Sequence, residues 1–164
     1  MSRYNYTFQG YDEAKMAHAV GISLPISPKQ AVEICNYLKH RSIKSAKAII
    51  ARVREMKQAI PFKRFNKNVG HKPGIAAGRY PQHATREILK LIASAEANAH
   101  NKGIIGELYI SHMNAHRAPP QPRSGRTPGE AKRAHVEITV MAQVEENITE
   151  KKKAVSSKGT KVSQ

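Results

Sequence analysis

The stretch ELYISHMNAHRAPPQPRSGRTPGEAKRAHVEITVMAQV (107–144) decides how this chain is read. Both of its ends alternate with a period of two. Leu108, Ile110 and His112 interleave with Tyr109, Ser111 and Met113, and Val136, Ile138, Val140 and Ala142 interleave with Glu137, Thr139, Met141 and Gln143. Such alternation sends successive side chains to opposite faces of a sheet, so each end reads as a strand, the second with one buried face. Between them lies 115–135, with five Arg/Lys, one acid, four prolines and two glycines, and nothing aliphatic larger than alanine. The pattern predicts a hairpin over 105–144 with a basic tip at 115–135. At ~3.3 Å per residue, arms of about ten residues reach roughly 30 Å. An isolated polar ribbon of that length is not stable in water. The tip is therefore expected to order against a partner and to be mobile in the free chain.

Upstream, the period changes to that of helices. MAHAVGISLPIS (16–27) reads as a short strand, ended or held at a sheet edge by Pro25. Ser27-Pro28 opens a helix, with Ser as the cap and Pro at a position that needs no donor. Val32, Cys35 and Leu38 form its stripe, widened by Ala31 and Ile34. A second helix spans Ser42 to Gln58, with Ile43, Ala46, Ile50, Val53 and Met56 on one face, Ile49 beside it, and basic residues elsewhere. The third runs from Pro81 to Gly103, a residue suited to ending a helix, on a stripe of Ile88, Leu91, Ile92, Ala95 and Ala99. Between the last two helices, 61–80 reads as a loop with five Arg/Lys and no acid. Phe62, Phe65 and Tyr80 interleave with its charges; they either anchor the loop to the body, the use the pattern favours, or stack on bases. Together these elements predict an α+β fold, three helices packed on a small antiparallel sheet with a long extended β-hairpin. The division is a 1–15 N-terminal extension, a single domain over 16–144, and a polar 145–164 tail expected to be disordered.

The charge narrows the class of partner. Among 164 residues, 28 Lys/Arg stand against 12 Asp/Glu, a net charge of +16. Such an excess repels itself and calls for a polyanion. A membrane surface is disfavoured, since no apolar run approaches the ~18 residues of a spanning helix and MSRYNYTFQG lacks the apolar stretch of a secretory leader. A single cysteine, Cys35, rules out an internal disulfide framework and fits a packing role in a reducing compartment.

Enzymatic chemistry is not legible. There is no phosphate-cradling or dinucleotide glycine motif, no cysteine pair, and no nucleophile, base and orienting group that belong together. His112 and His116 are four apart, a ligating spacing on a helix but not on a strand running into a loop. No cofactor, metal or small-molecule substrate is expected. The chemistry lies in acid-poor basic zones suited to phosphate. These are Lys39, Arg41, Lys44 and Lys47 around the second helix; Lys63, Arg64, Lys67, Lys72 and Arg79 in 61–80; and Arg117, Arg123, Arg126, Lys132 and Arg133 in the hairpin. The first zone also suits a merely solvated face. Structured RNA is the leading partner; an architectural DNA-binding role is the alternative.

SPKQAVEICNYLKHRSIKSAKAII (27–50), ASAEANAHNKG (93–103) and ELYISHMNAHRA (107–118) with the basic tip resemble the universal large-subunit ribosomal protein twenty-two family over about 10–145. The insert ending in GRYP (78–81) is similar to the archaeal and eukaryotic form, and the short tail to archaeal members. The resemblance implies a structural constituent of the large subunit that is cytoplasmic and ribosome-bound, contacts ribosomal RNA and neighbouring ribosomal proteins, and supports assembly. It implies a hairpin lining the peptide exit tunnel, where Pro122, Arg123, Ser124, Gly125 and Arg126 meet the nascent peptide. In this chain PPQP (119–122) precedes RSGR (123–126), where many members carry a denser basic run.

Overall fold

The computed structural model describes residues 4–104, 106–126 and 129–142. Expectations for Ile105, Thr127, Pro128 and 143–164, the tail included, lie outside the described residues. Three helices, α1 (Pro28–Leu38), α2 (Ile43–Arg54) and α3 (Gln82–Asn101), pack on a sheet of β1 (Met16–Leu24), β5 (Leu108–Arg123) and β6 (Gly129–Ala142). Between α2 and α3 lie three short strands, β2 (Ile60–Pro61), β3 (His71–Lys72) and β4 (Ala76–Arg79).

The main sheet is antiparallel in the order β1-β6-β5, so the last strand of the sequence is central. Its helix-facing side is formed by Ala17 and Ala19 of β1, Val136, Ile138 and Val140 of β6, and Leu108, Ile110 and Met113 of β5, all buried. The pairs Ala17↔Val140 and Ala19↔Ile138 place small residues of β1 opposite large ones of β6. The space left beside the alanines admits α3, whose Ile88, Ile92, Ala95 and Ala99 are fully buried. The stripe expected for α3 is thus the observed one. Its end follows from chain chemistry: Gly103 takes φ 73, and the Gly103 and Ile104 amides donate to the carbonyls of His100 and Ala99. This is the paired-bond termination that glycine favours, with buried Ile104 folding back on the helix.

Several expectations need correction. His112 does not share a face with Leu108 and Ile110. A bulge between Ile110 and His112 leaves Ser111 without a partner, so Met113 pairs with Ile138 on the core side and His112 is turned outward. The strand β6 does not have one buried and one wet face: Glu137 and Thr139 are 1% and 2% exposed. Their cover is the N-terminal segment, which lies across the outer face of the sheet. The Thr7 amide donates to Glu137 Oε2 at 3.1 Å, Phe8 stacks on His112, and Tyr6 and Tyr11 pack on His18. Burial, and next the Glu137 carboxylate, raise the Tyr4 phenol above its ordinary pKa.

Met56 is also displaced from its expected place. The helix α2 stops at Arg54, and Met56 enters the left-handed region with φ 60 and stands 60% exposed. Ser27 occupies the N-cap position of α1, yet its hydroxyl makes no capping bond. The equivalent Ser42 does cap α2, accepting from the Ser45 amide at 3.3 Å. The 61–80 segment is not plain loop: β4 pairs with β2 through Ile60↔Arg79 and with β3 through His71↔Ala77.

The hairpin is paired well into the segment expected to be tip. Pairs continue to Arg123↔Gly129. Prolines survive here because β5 is an edge strand and Pro119 and Pro120 fall in a second bulge, between Ala118 and Gln121. The last partner of β1 is Ala134. Beyond it β5 and β6 continue as a two-stranded ribbon from Ala118 to Arg123, about 20 Å at ~3.3 Å per residue. The free arm is therefore shorter than the roughly 30 Å that the pattern suggested.

Candidate nucleic-acid interface

The acid Glu33 organises the interface although it carries the wrong charge for it. It lies on α1 and is 2% exposed. Three consecutive backbone amides donate to its carboxylate: Lys63 to Oε2 at 3.1 Å, and Arg64 and Phe65 to Oε1 at 2.8 and 2.6 Å. A buried carboxylate is costly without donors, and unpaired amides are costly without an acceptor; each supplies the other's need. Phe62 is buried beside this clamp, its amide donating to the Ala77 carbonyl at 2.9 Å. Phe62 thus anchors the segment, while the next three side chains diverge toward two grooves.

The first groove, about 590 Å³, is lined by Tyr37, Lys39, Arg41, Lys63 and Ile75 among others. Arg41 is held by a bond from Nε to the Tyr37 carbonyl at 2.8 Å, and its guanidinium lies 4.7 Å from the centre of the Tyr37 ring. The turn between α1 and α2 is itself tied to the sheet: the Ile110 amide donates to the Arg41 carbonyl and the His40 amide to the Ile110 carbonyl. The first-zone cations Lys39 and Arg41 and the second-zone Lys63 therefore share one cleft.

The second groove, about 660 Å³, lies at the root of the hairpin. Lys29 and Arg64 come from α1 and the clamped segment; Arg117, Lys132 and Arg133 come from β5 and β6; Glu130 is the one acid in its lining. Among the described residues no carboxylate pairs with any of those five cations. Arg133 is partly committed within the fold, donating to the Ser23 carbonyl at 3.4 Å and to Gln121 Oε1.

The other predicted residues fall outside these clefts. Lys47 is not a free cation: it forms an ion pair with Glu96 of α3. Lys44, Lys67 and Arg79 are exposed singly, and Lys72 lies over the Tyr80 ring at 5.3 Å. Pro122, Arg123, Ser124, Gly125 and Arg126 are exposed at the end of the arm. Sequence reasoning missed Lys29, Glu33 and Glu137. A signal for Glu33 exists, since it is the last acid before a run that stays acid-free to Glu55 and it adjoins the apolar stripe of α1.

These features define a polyanion-binding α+β protein with cations gathered at the base of a projecting hairpin. The profile of the family described as Ribosomal protein L22p/L17e matches residues 19–148, and the chain belongs to that family. It is similar to "Large ribosomal subunit protein uL22" of Archaeoglobus fulgidus, 45% identical over 119 residues, 70% of this chain and 77% of the relative. The protein of the same description in Methanothrix thermoacetophila is 40% identical over 118 residues, 70% and 76% of the two chains. That of Methanosphaera stadtmanae is 37% identical over 145 residues, 82% and 94% of the two chains. Membership agrees with the archaeal and eukaryotic form expected from GRYP and identifies a structural ribosomal protein of the large subunit, not an enzyme.

Proposed function

We propose that the chain binds large-subunit ribosomal RNA through the two basic grooves and the hairpin, and that the turn of the hairpin lines the polypeptide exit tunnel. The observation that carries the RNA reading is the convergence of cations from separate sequence zones at the hairpin root, with no carboxylate paired to them among the described residues. Phosphate is the ligand such a surface neutralises, and its binding weakens steeply with salt. The working unit is residues 16–144, with 1–15 as an extension and 145–164 as a tail. Its contacts are ribosomal RNA, neighbouring ribosomal proteins and, at Pro122 to Arg126, the nascent peptide. Its place is the cytoplasm, on the ribosome.

Sedimentation tests the first part. The tagged chain co-sediments with large subunits at moderate salt; if it stays at the top of the gradient, the RNA reading fails. The tunnel part has a separate test. A photo-crosslinker at Ser124 in stalled ribosomes labels the nascent chain, and labelling of ribosomal RNA alone would remove the tip from the tunnel.

A further inference from the structure

The geometry points to the second groove as a seat for one unpaired nucleotide of RNA, its base stacked on Phe65 and its phosphates held by the cationic rim. This rests on the reading that the chain binds RNA and says which feature of RNA this cleft takes. The groove has two chemistries in one place. Its lining includes apolar surface from Val32, Phe65, Ala118 and Pro120, and its rim carries Lys29, Arg64, Arg117 and Lys132. At about 660 Å³ it has the volume of clefts that enclose a small molecule. A continuous duplex presents phosphates outside and keeps its base faces stacked inside, so it satisfies the rim and leaves the apolar lining wet. An unpaired nucleotide satisfies both, because a splayed base offers a flat apolar face and a phosphate on either side.

Phe65 is prepared for that role. Its backbone is fixed by the 2.6 Å bond to Glu33, so the ring is presented by a rigid segment. The Arg64 guanidinium lies 5.2 Å and the Lys29 ammonium 6.0 Å from the ring centre. Both cations lie over the ring in the free chain, and a base that takes that face turns these flexible side chains outward onto its phosphates. Phe62, three residues earlier, is buried in the body, whereas Phe65 is half-buried and lines the groove.

The test uses the full chain and two RNAs, a fully paired duplex and the same duplex with one unpaired adenosine, compared by fluorescence anisotropy over a salt series. The bulged RNA binds about tenfold more tightly, the scale of one base stacked on a ring. Phe65→Leu abolishes that preference, while Phe65→Trp retains it. A measurement without substitution runs beside it: 5-iodouridine at the unpaired position crosslinks to the wild-type chain, and peptide mapping finds the adduct at Phe65. Equal binding of the two RNAs, an equal loss for both in Phe65→Leu, or an adduct mapped elsewhere overturns the stacking inference and leaves the RNA reading standing. Failure of either RNA to bind overturns both.

Discussion

At the scale of single residues, the most consequential side chain is an acid in a basic protein. Glu33 receives three amides from 63–65, and bonds to a charged acceptor are worth roughly 1.5–3 kcal/mol each in context, without simple additivity. Glu33→Ala is expected to cost at least that amount in equilibrium denaturation. It also strips hydrogen-exchange protection from the amides of 60–79 while those of α3 stay protected. Equal loss in both regions would mean that Glu33 supports the whole core and not the clamp. Cys35 illustrates burial acting alone. Desolvation pushes its thiol from 9.0 up to about 12. The folded state therefore holds the proton that the unfolded state releases, so the contribution to stability is complete below pH 9.0 and is lost as pH rises toward about 12. Alkylation of native protein by iodoacetamide at pH 8 should be far slower than that of denatured protein; comparable rates would show that the helix opens locally.

At the scale of elements, the hairpin divides into two mechanical parts. From Val136 to Met141 the central strand is flanked by β1 on one side and β5 on the other. Beyond Ala134 the ribbon has only two strands. Amides at Glu130 to Arg133 should exchange with solvent at least a hundredfold faster than those at Val136 to Val140 in the free chain, and slow on adding ribosomal RNA. Equal protection without RNA would contradict the partner-dependent ordering of the arm. The elements also show where local reading succeeds. The stripe of α3 and the alternation of β6 were legible because helical and strand periods are properties of neighbouring residues. The phase change at Ser111 was not, because a bulge is set by the partner strand. Nor was the small β2-β4-β3 sheet, whose strands are only two to four residues long.

At the scale of the molecule, the charge is sorted, not merely large. Lys47 is neutralised by Glu96, whereas Arg117 and Lys132 line the groove at the hairpin root without a carboxylate partner among the described residues. Arg117→Gln and Lys132→Gln should each lower the slope of log K against log salt by about 0.7–0.9, the value of one phosphate contact. Lys47→Gln should leave it unchanged, and the same slope change for all three would mean diffuse attraction without a site. In cells, joint reversal of Arg123 and Arg126 to Glu should reduce large subunits in gradient profiles several-fold more than Lys158→Glu. Matching profiles would deny the arm a special place.

Composition and periodicity, read from the chain alone, determined an α+β body, three helices and a basic hairpin, and the motif matches pointed to the family. These are sums over residues or patterns between near neighbours, and packing does not reverse them. Only the tertiary structure decided that Arg64 and Phe65 lie beside Arg117 and Lys132, that Glu33 holds the Arg64 and Phe65 amides, and that the Thr7 amide reaches Glu137 while Tyr6 packs on His18. Those partners are not near neighbours along the chain. Their meeting depends on strand order, a bulge and a helix position that no local pattern encodes, and the grooves exist only where those elements close on one another.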